Sequence, residues 1–323
     1  MKILAVDDDA IVRDMMAAMC TRLGYPDIVT AWSGEAALTL LMDESLTFDC
    51  LLLDISMVGM NGIELCRHAR SMPRYATCPI IMLTSMRTRD YVERAFEAGA
   101  TDYTTKPFKV SDLGARLTTA AEHIAARHSE VTRARQTHDA GRDMPPRTLA
   151  QEVSLPGFPD IIRYHSLGNY LMQMSAVGLS CSQVFVVKID DIETIFERAT
   201  EDEFQYALSE VADAIRSALR TQGHMMAYKG DGQFMIVMGK GSISLASELE
   251  DEIHSFIDMK ESEYDDGTPM RLEVSIGNPI QPHLTGGETA WLTFDRAISR
   301  ALTRYDLKPR RDMAAPQTVA LAQ

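Results

Sequence analysis

Three aspartates, a threonine and a lysine each fall at or just past the end of a short candidate strand. Asp7 and Asp8 come after Ile3-Leu4-Ala5-Val6, Asp54 after Leu51-Leu52-Leu53, Thr84 after Ile80-Ile81-Met82-Leu83, and Lys106 just past Asp102–Thr104. Clustered carboxylates repel one another and are tolerated mainly where a divalent cation such as Mg2+ bridges them. A metal-bound carboxylate beside an ammonium is well placed to attack a phosphoryl group, because both cations neutralise the transferring oxygens. That chemistry requires these residues to meet in one crevice, far apart though they are in sequence.

The surrounding pattern supplies such a crevice. Candidate strands at Lys2–Val6, Ile28–Thr30, Cys50–Leu53, Ile80–Thr84 and Asp102–Thr104 alternate with amphipathic segments near 10–23, 34–44, 61–71, 88–98 and 110–120. Strands of Ile, Leu and Val without polar alternation suit a parallel sheet covered on both faces. Repeated β/α units predict a doubly wound fold, whose carboxyl strand ends converge on one site. Asp9 reads as the N-cap of the following helix and not as a ligand.

The motifs VDDD (6–9), LLLDISMVGMNG (51–62), IIMLTS (80–85) and DYTTKPF (102–108), in this order, resemble the receiver domain of two-component response regulators. The resemblance covers residues 1–120 and implies a flavodoxin-like five-stranded parallel sheet. It also implies that Asp54 is the phosphoacceptor, with Asp8, Asp54 and the backbone carbonyl of Ser56 ligating Mg2+ and Asp7 acting through water. Lys106 would meet the phosphoryl oxygens, and Thr84 and Tyr103 would be the switch residues. Val58 stands where the family usually has proline, a change that touches loop stiffness and no ligand.

Beyond residue 120, Val110, Leu113, Leu117, Ala120, Ile124 and Val131 continue a helical stripe, a stalk that either dimerises or packs on its own domain. Residues 132–154 turn polar, with Gly141, Pro145 and Pro146, so 121–154 reads as helical extension and flexible linker. A second domain, 155–308, is predicted from a helix near 160–176, the strand Val184–Ile189 and a helix from 202 to 221. Strands Met225–Tyr228 and Phe234–Met238 flank a tight GDGQ turn and must pair as an antiparallel hairpin. A helix near 244–260, a strand Arg271–Ile276 and a helix near 288–305 complete it, and 309–323 reads as a disordered tail.

The segments LPGFPD (155–160), KIDDIETIF (188–196), GDGQF (230–234) and VSIG (274–277) resemble the diguanylate cyclase, or GGDEF, domain. That implies an α/β sandwich around an antiparallel hairpin. Its active-site positions are altered. The first metal carboxylate falls on Lys188, and the signature loop reads Gly230, Asp231, Gly232, Gln233, Phe234. The guanine-reading positions fall on Phe196 and Gln205, the triphosphate-binding ones on Leu302 and Asp306, and the upstream inhibitor-binding motif is replaced by residues 221–224. A lysine at a cation site repels Mg2+. Two readings of the remnant stay open: Asp231 supplies a turn and pairs with Lys188, or Asp190, Asp191 and Asp231 form a shifted metal site in an active diguanylate or purine-nucleotide cyclase.

The chain has 323 residues, 46% hydrophobic and 24% charged, with a net charge of −14, which disfavours nucleic-acid binding. Five cysteines without CxxC spacing read as free thiols, and neither a signal peptide nor a membrane span is legible. The expectation is a cytoplasmic response regulator, phosphorylated on Asp54 by a histidine kinase or phosphotransfer protein. It carries Mg2+ in the receiver and no cofactor in the second domain. Its inactive cyclase-like output is expected to act on a downstream protein or through homodimerisation, not as an enzyme.

Overall fold

The computed structural model describes residues 1–85, 89–138, 148–153, 155, 158, 161–220, 223–239, 246–282 and 290–308. The first domain alternates β1 (Ile3–Val6), α1 (Ala10–Arg22), β2 (Ile28–Ala31), α2 (Gly34–Met42), β3 (Cys50–Asp54), α3 (Gly62–Ser71), β4 (Ile80–Thr84), α4 (Arg89–Glu97), β5 (Asp102–Thr105) and α5 (Val110–His138). The sheet is wholly parallel in the order β2-β1-β3-β4-β5. Successive residues of β1 and β3 point to opposite sides. Ile3, Ala5, Cys50 and Leu52 meet α1 and α5, while Leu4, Val6, Leu51 and Leu53 meet α2 and α3. Local signals set the helix starts: Asp9 caps α1 as the sequence predicts, and Asn61 and Glu64 form a capping box on α3. α5 runs to His138, so residues 132–138, read as linker, are helical.

The second domain contains β6 (Ile161–Arg163), α6 (Tyr164–Gln173), α7 (Ala176–Ser180), β7 (Ser182–Ile189), α8 (Ile192–Arg198), α9 (Glu201–Ala218), β8 (His224–Gly230), β9 (Gln233–Gly239), α10 (Ala246–Asp258), β10 (Val274–Ile276) and α11 (Ala290–Leu307). Its sheet order is β10-β7-β9-β8-β6, antiparallel throughout except β6, which pairs parallel with β8. Phe185, Val187 and Ile189 face α9 and α10, while Val184 and Val186 face α6 and α11. β10 is an edge strand whose outward amides are not left open. Val274 N–H donates to His254 Nε2 (3.0 Å) and Ile276 N–H to Glu250 Oε2 (2.9 Å), both from α10.

The hairpin loop carries the linker. Asp231 N–H donates to the carbonyl of Leu149 (2.8 Å), and Leu149 and Val153 pack on the second core. Gly230 has φ +107°, and a Cβ there would stand 2.4 Å from the Ala150 carbonyl oxygen, so only glycine fits. Residues 139–147 and the tail from 309 lie outside the described residues, as do Pro156, Gly157, Pro159 and Asp160 of the LPGFPD segment.

One core straddles the two domains. Val92 and Phe96 of α4 join Leu167, Tyr170 and Leu171 of α6, and Phe96 meets the rings of Tyr103 (6.0 Å) and Tyr170 (5.7 Å) edge-on. Polar contacts ring this apolar centre. Tyr170 OH donates to Glu93 (2.9 Å), Asn169 Nδ2 to the Thr101 carbonyl (2.9 Å), Arg163 to the Ala76 carbonyl (3.0 Å), and Gln173 Nε2 to Asp102 Oδ1.

Beside it, His165 packs on His123 of α5, ring centroids 4.2 Å apart, and its buried Nε2 has no hydrogen-bond partner among the described residues. Burial first, then the neighbouring His123, pushes the His165 pKa down to about 4. Between its ordinary 6.5 and about 4, the unfolded chain binds a proton that the folded chain does not, so this contribution to stability is lost as pH falls. Asp102 has the opposite slope. Burial raises its carboxyl to about 6 against the pull of Arg116, so its contribution is lost as pH rises from 3.8 through about 6. In thermal melts between pH 6.5 and about 4.5, the wild type is expected to lose more stability than His165→Gln, in which only the Asp102 slope remains of these two. Equal losses would show that His165 does not carry the effect.

Candidate phosphoryl-acceptor site

The strand order reverses between β1 and β3, and the crevice opens at their carboxyl ends. Asp7 follows β1 and is fully buried, Asp8 next to it is exposed, and Asp54 ends β3 with 3% exposure. One oxygen from each of the three carboxylates lies within 4.8 Å of the others, the only such His/Cys/Asp/Glu group among the described residues. Lys106, just past β5, reaches across: its Nζ is 2.6 Å from Asp7 Oδ2 and 3.0 Å from Asp54 Oδ2.

Local structure fixes each group. Asp9 N–H donates to Asp7 Oδ1 (3.0 Å), and Arg13 donates to the Asp7 carbonyl (2.8 Å). After Asp54 the chain folds back so tightly that a Cβ on Gly62 would stand 2.1 Å from the Asp54 carbonyl oxygen, which explains the glycine after Asn61. Ser56, exposed in this loop, gives a backbone N–H to the Asp54 carboxylate. Asp54 Oδ1 is buried with no hydrogen-bond partner among the described residues.

Burial raises the Asp54 pKa, and Asp7 adds to that, while Lys106 pulls the other way. Burial also opposes the charge on Lys106, but hydrogen bonds to Asp7 and Asp54 outweigh it and raise its pKa. An orphaned carboxylate oxygen among three clustered acids fits a hard divalent cation such as Mg2+, held by Asp7, Asp8 and Asp54.

Of the two switch candidates, Thr84 borders this site and Tyr103 faces the second domain. Thr84 ends β4, fully buried, and its carbonyl accepts the Lys106 N–H (2.7 Å). Tyr103 on β5 is half-buried against Phe96, and its hydroxyl donates to the Gln173 carbonyl of the second domain (3.4 Å).

The positions singled out in the second domain do not converge in the same way. Asp231 sits in the turn at φ 52° and pairs with Lys229 (3.8 Å), not with Lys188 as expected from the cross-strand arrangement. Lys188 is buried opposite Gln233, donates to the Ile189 carbonyl (3.0 Å) and lies over the Tyr305 ring (4.2 Å). Asp191 accepts from Tyr305 OH (2.6 Å), and Asp190 Oδ2 accepts from Ser275 Oγ and Lys308 Nζ (both 3.0 Å).

The three aspartates of the shifted metal site are thus engaged separately, and no group forms around Asp231 among the described residues. Phe196 packs edge-on against Phe204 (5.1 Å), Gln205 is half-buried on α9, and Leu302 and Asp306 point outward on α11. Gly232 and Phe234 are buried hairpin residues, and Thr221 and Gln222 lie outside the described residues. Sequence reading missed Lys308 and the Arg304–Glu250 pair (2.8 Å), because their partners are remote in sequence and no local pattern links them.

The described residues contain no helix long and apolar enough to cross a membrane. Comparison with known proteins adds the family. Residues 3–118 match the response regulator receiver domain. The chain is 35% identical over 124 residues to chemotaxis protein CheY of Pseudomonas aeruginosa, covering 38% of this chain and 98% of that protein. It is 37% identical over 116 residues to the uncharacterized transcriptional regulatory protein YrkP of Bacillus subtilis. That match covers 36% of this chain and only 47% of the relative's own length. Chemotaxis protein CheY4 of Vibrio cholerae, a solved structure, shares 31% identity over 37% of this chain and 97% of its own, with a TM-score of 0.35. With Asp7, Asp8, Asp54 and Lys106 gathered at the strand ends of a five-stranded parallel sheet, the chain belongs to the response regulator family through its N-terminal receiver domain.

Proposed function

We propose that this chain is a phosphorylation-dependent response regulator whose second domain is a non-catalytic, degenerate diguanylate cyclase-like output. The observation that carries the reading is Asp54 Oδ1, buried and without a hydrogen-bond partner among the described residues, while Lys106 ties its sister oxygen Oδ2 to Asp7. Asp54 Oδ1 attacks the phosphorus of a phosphohistidine on a histidine kinase or phosphotransfer protein. The new O–P bond forms as the P–N bond breaks, and the electron pair leaves on the imidazole nitrogen, which takes up a proton. Lys106 neutralises the transferring oxygens. Mg2+, when held by Asp7, Asp8 and Asp54 with the Ser56 carbonyl, supplies charge neutralisation at the same oxygens.

Phosphorylation of Asp54 ends the Lys106–Asp54 pairing and gives Thr84 a new acceptor. Thr84 and Tyr103 then reorient, and Tyr103 sits on the face that holds α6. The second domain is read as inactive because its remaining carboxylates pair with Lys308 and Lys229 or accept a hydrogen bond from Tyr305, and a buried lysine stands at the first metal position. Its output is a protein contact, with a downstream target or a second copy, controlled by how tightly α6 is held.

The expected result is that phosphorylation by a small-molecule phosphoryl donor raises amide hydrogen exchange in α4 and α6, and that Asp54→Asn abolishes the increase. Unchanged exchange in fully phosphorylated protein would remove the coupling. Incubation with GTP and Mg2+ or Mn2+ is expected to give no cyclic product, and a product abolished by Asp231→Ala would replace this reading with a cyclase.

A further inference from the structure

The segment that leads into the edge strand β10 has one gap in its outward hydrogen bonding. Met270, Leu272, Val274 and Ile276 all bury their side chains in the same core, the period of an extended chain. Between them, the Glu273 carbonyl accepts the Asp190 N–H (2.8 Å) and Ser275 stands opposite Lys188, both toward β7. Met270, Leu272, Val274 and Ile276 therefore turn their N–H and carbonyl groups away from the sheet. Met270 N–H donates to the Ser262 carbonyl (2.7 Å), Val274 N–H to His254 (3.0 Å) and Ile276 N–H to Glu250 (2.9 Å). The Val274 carbonyl accepts from Lys308 Nζ (2.8 Å). Leu272 is buried between them, and neither of its backbone groups has a hydrogen-bond partner among the described residues.

The gap opens on a groove of about 440 Å3 between the end of α10 and residues 261–263. Asp258, Glu261, Glu263 and Glu273 line it, and the carboxyl end of α10 adds its negative dipole. Arg271 also lines the groove but is turned to Glu273 (3.8 Å), and nearby Lys260 is taken by Glu210 and Asp213. Ser262 supplies an independent sign of a ligand. It lines the groove, is only 8% exposed, and its Oγ has no hydrogen-bond partner among the described residues. A bare cation answers the charge but not the Leu272 N–H, which needs an acceptor. Nor do these carboxylates converge as a metal site among the described residues. A peptide backbone carries both a donor and an acceptor, and basic side chains answer the charge.

We propose that the gap docks a basic, extended segment of a partner protein through an isolated β-bridge to Leu272. One residue of that segment accepts from the Leu272 N–H and donates to the Leu272 carbonyl. Met270 and Val274 stand about 13 Å apart in an extended chain, so the segment crosses the edge at this one residue and does not add a full strand. Its Lys or Arg side chains meet Asp258, Glu261 and Glu263. The bridge does not depend on Asp54, so its failure would leave the phosphorylation reading intact.

The test uses the full chain at low salt and the probe acetyl-Val-Arg-Val-Arg-Val-amide. Saturable binding is expected, with slowed hydrogen exchange at the Leu272 amide. Glu261→Gln/Glu263→Gln, whose substituted side chains are both exposed, should bind about tenfold more weakly, the size of two exposed ion pairs. Arg271→Gln removes an opposing charge and should bind about threefold more tightly, a gain that damage to the fold cannot imitate. The same peptide N-methylated at every residue keeps its charge but loses its backbone donors, and should bind about tenfold more weakly. Equal affinity for the methylated peptide, equal affinity in the Glu variant, or an unprotected Leu272 amide would overturn the proposal. A peptide that binds only by dissociating a dimer would also overturn it, because the occupant would then be a second copy of this chain.

Discussion

Asp54→Asn is expected to abolish phosphorylation completely while leaving the fold intact. The wild type should gain one phosphoryl group in the mass spectrum when given a phosphoryl donor and Mg2+, and the variant none. The physical basis is local: Asp54 Oδ1 is buried with no hydrogen-bond partner among the described residues, and its neighbour Oδ2 is tied to Lys106 at 3.0 Å. Burial raises the Asp54 pKa, so an amide there relieves a desolvation cost, and the melting temperature should not fall. Lys106→Ala separates attack from charge stabilisation. It leaves the acceptor in place but removes the ammonium that spans Asp7 and Asp54, and is expected to slow phosphoryl transfer by about 10²–10³-fold. Phosphorylation of Asp54→Asn at another residue, or wild-type rates in Lys106→Ala, would place the chemistry elsewhere.

Phe96→Ala is expected to be the most destabilising single change at the domain boundary, costing about 3–5 kcal/mol. Phe96 has no exposed surface and meets Tyr103 from its own domain and Tyr170 from the other. Truncation leaves a cavity between two rings that cannot both collapse into it. The loss is a large share of a typical total stability of about 5–15 kcal/mol. Denaturant unfolding of the variant should show a lower midpoint and a separation of the two domains' transitions, because the shared core no longer couples them. Phe96→Leu retains most of the buried volume, loses chiefly the edge-on ring contacts, and should fall between. An unchanged midpoint in Phe96→Ala would mean that the two domains do not draw stability from this contact.

The receiver was legible because its signals are local and repeated. Runs such as Leu51-Leu52-Leu53 admit little but a buried strand, and the polar residue ending each run falls at a position that the topology then gathers. In the second domain, the strand at 184–189 and the hairpin were equally plain, but β6 was not. Three residues carry no period, and Ile161–Arg163 was absorbed into the helix that follows. The expected Asp231–Lys188 pair failed for a geometric reason. Asp231 lies in the left-handed turn outside the strand register, whereas Lys188 is held opposite Gln233 inside it. The contact between α4 and α6 could not be read at all, since Phe96 and Tyr170 each look like ordinary core residues of separate helices.

The seat that Gly230 makes for Ala150 separates a motif's survival from its chemistry. A side chain at 230 is barred by a neighbouring backbone oxygen, and that bar operates whether or not a nucleotide ever approaches the hairpin. The Asp231 side chain, half-buried and in long contact with Lys229, meets no such bar: the bond to Leu149 comes from its backbone N–H, which another residue tolerant of the left-handed turn would also supply. Across variants of this chain the first glycine should therefore resist change while the aspartate drifts, so a glycine-rich signature here records where the linker lies, and the presence of GDG is no measure of catalytic competence.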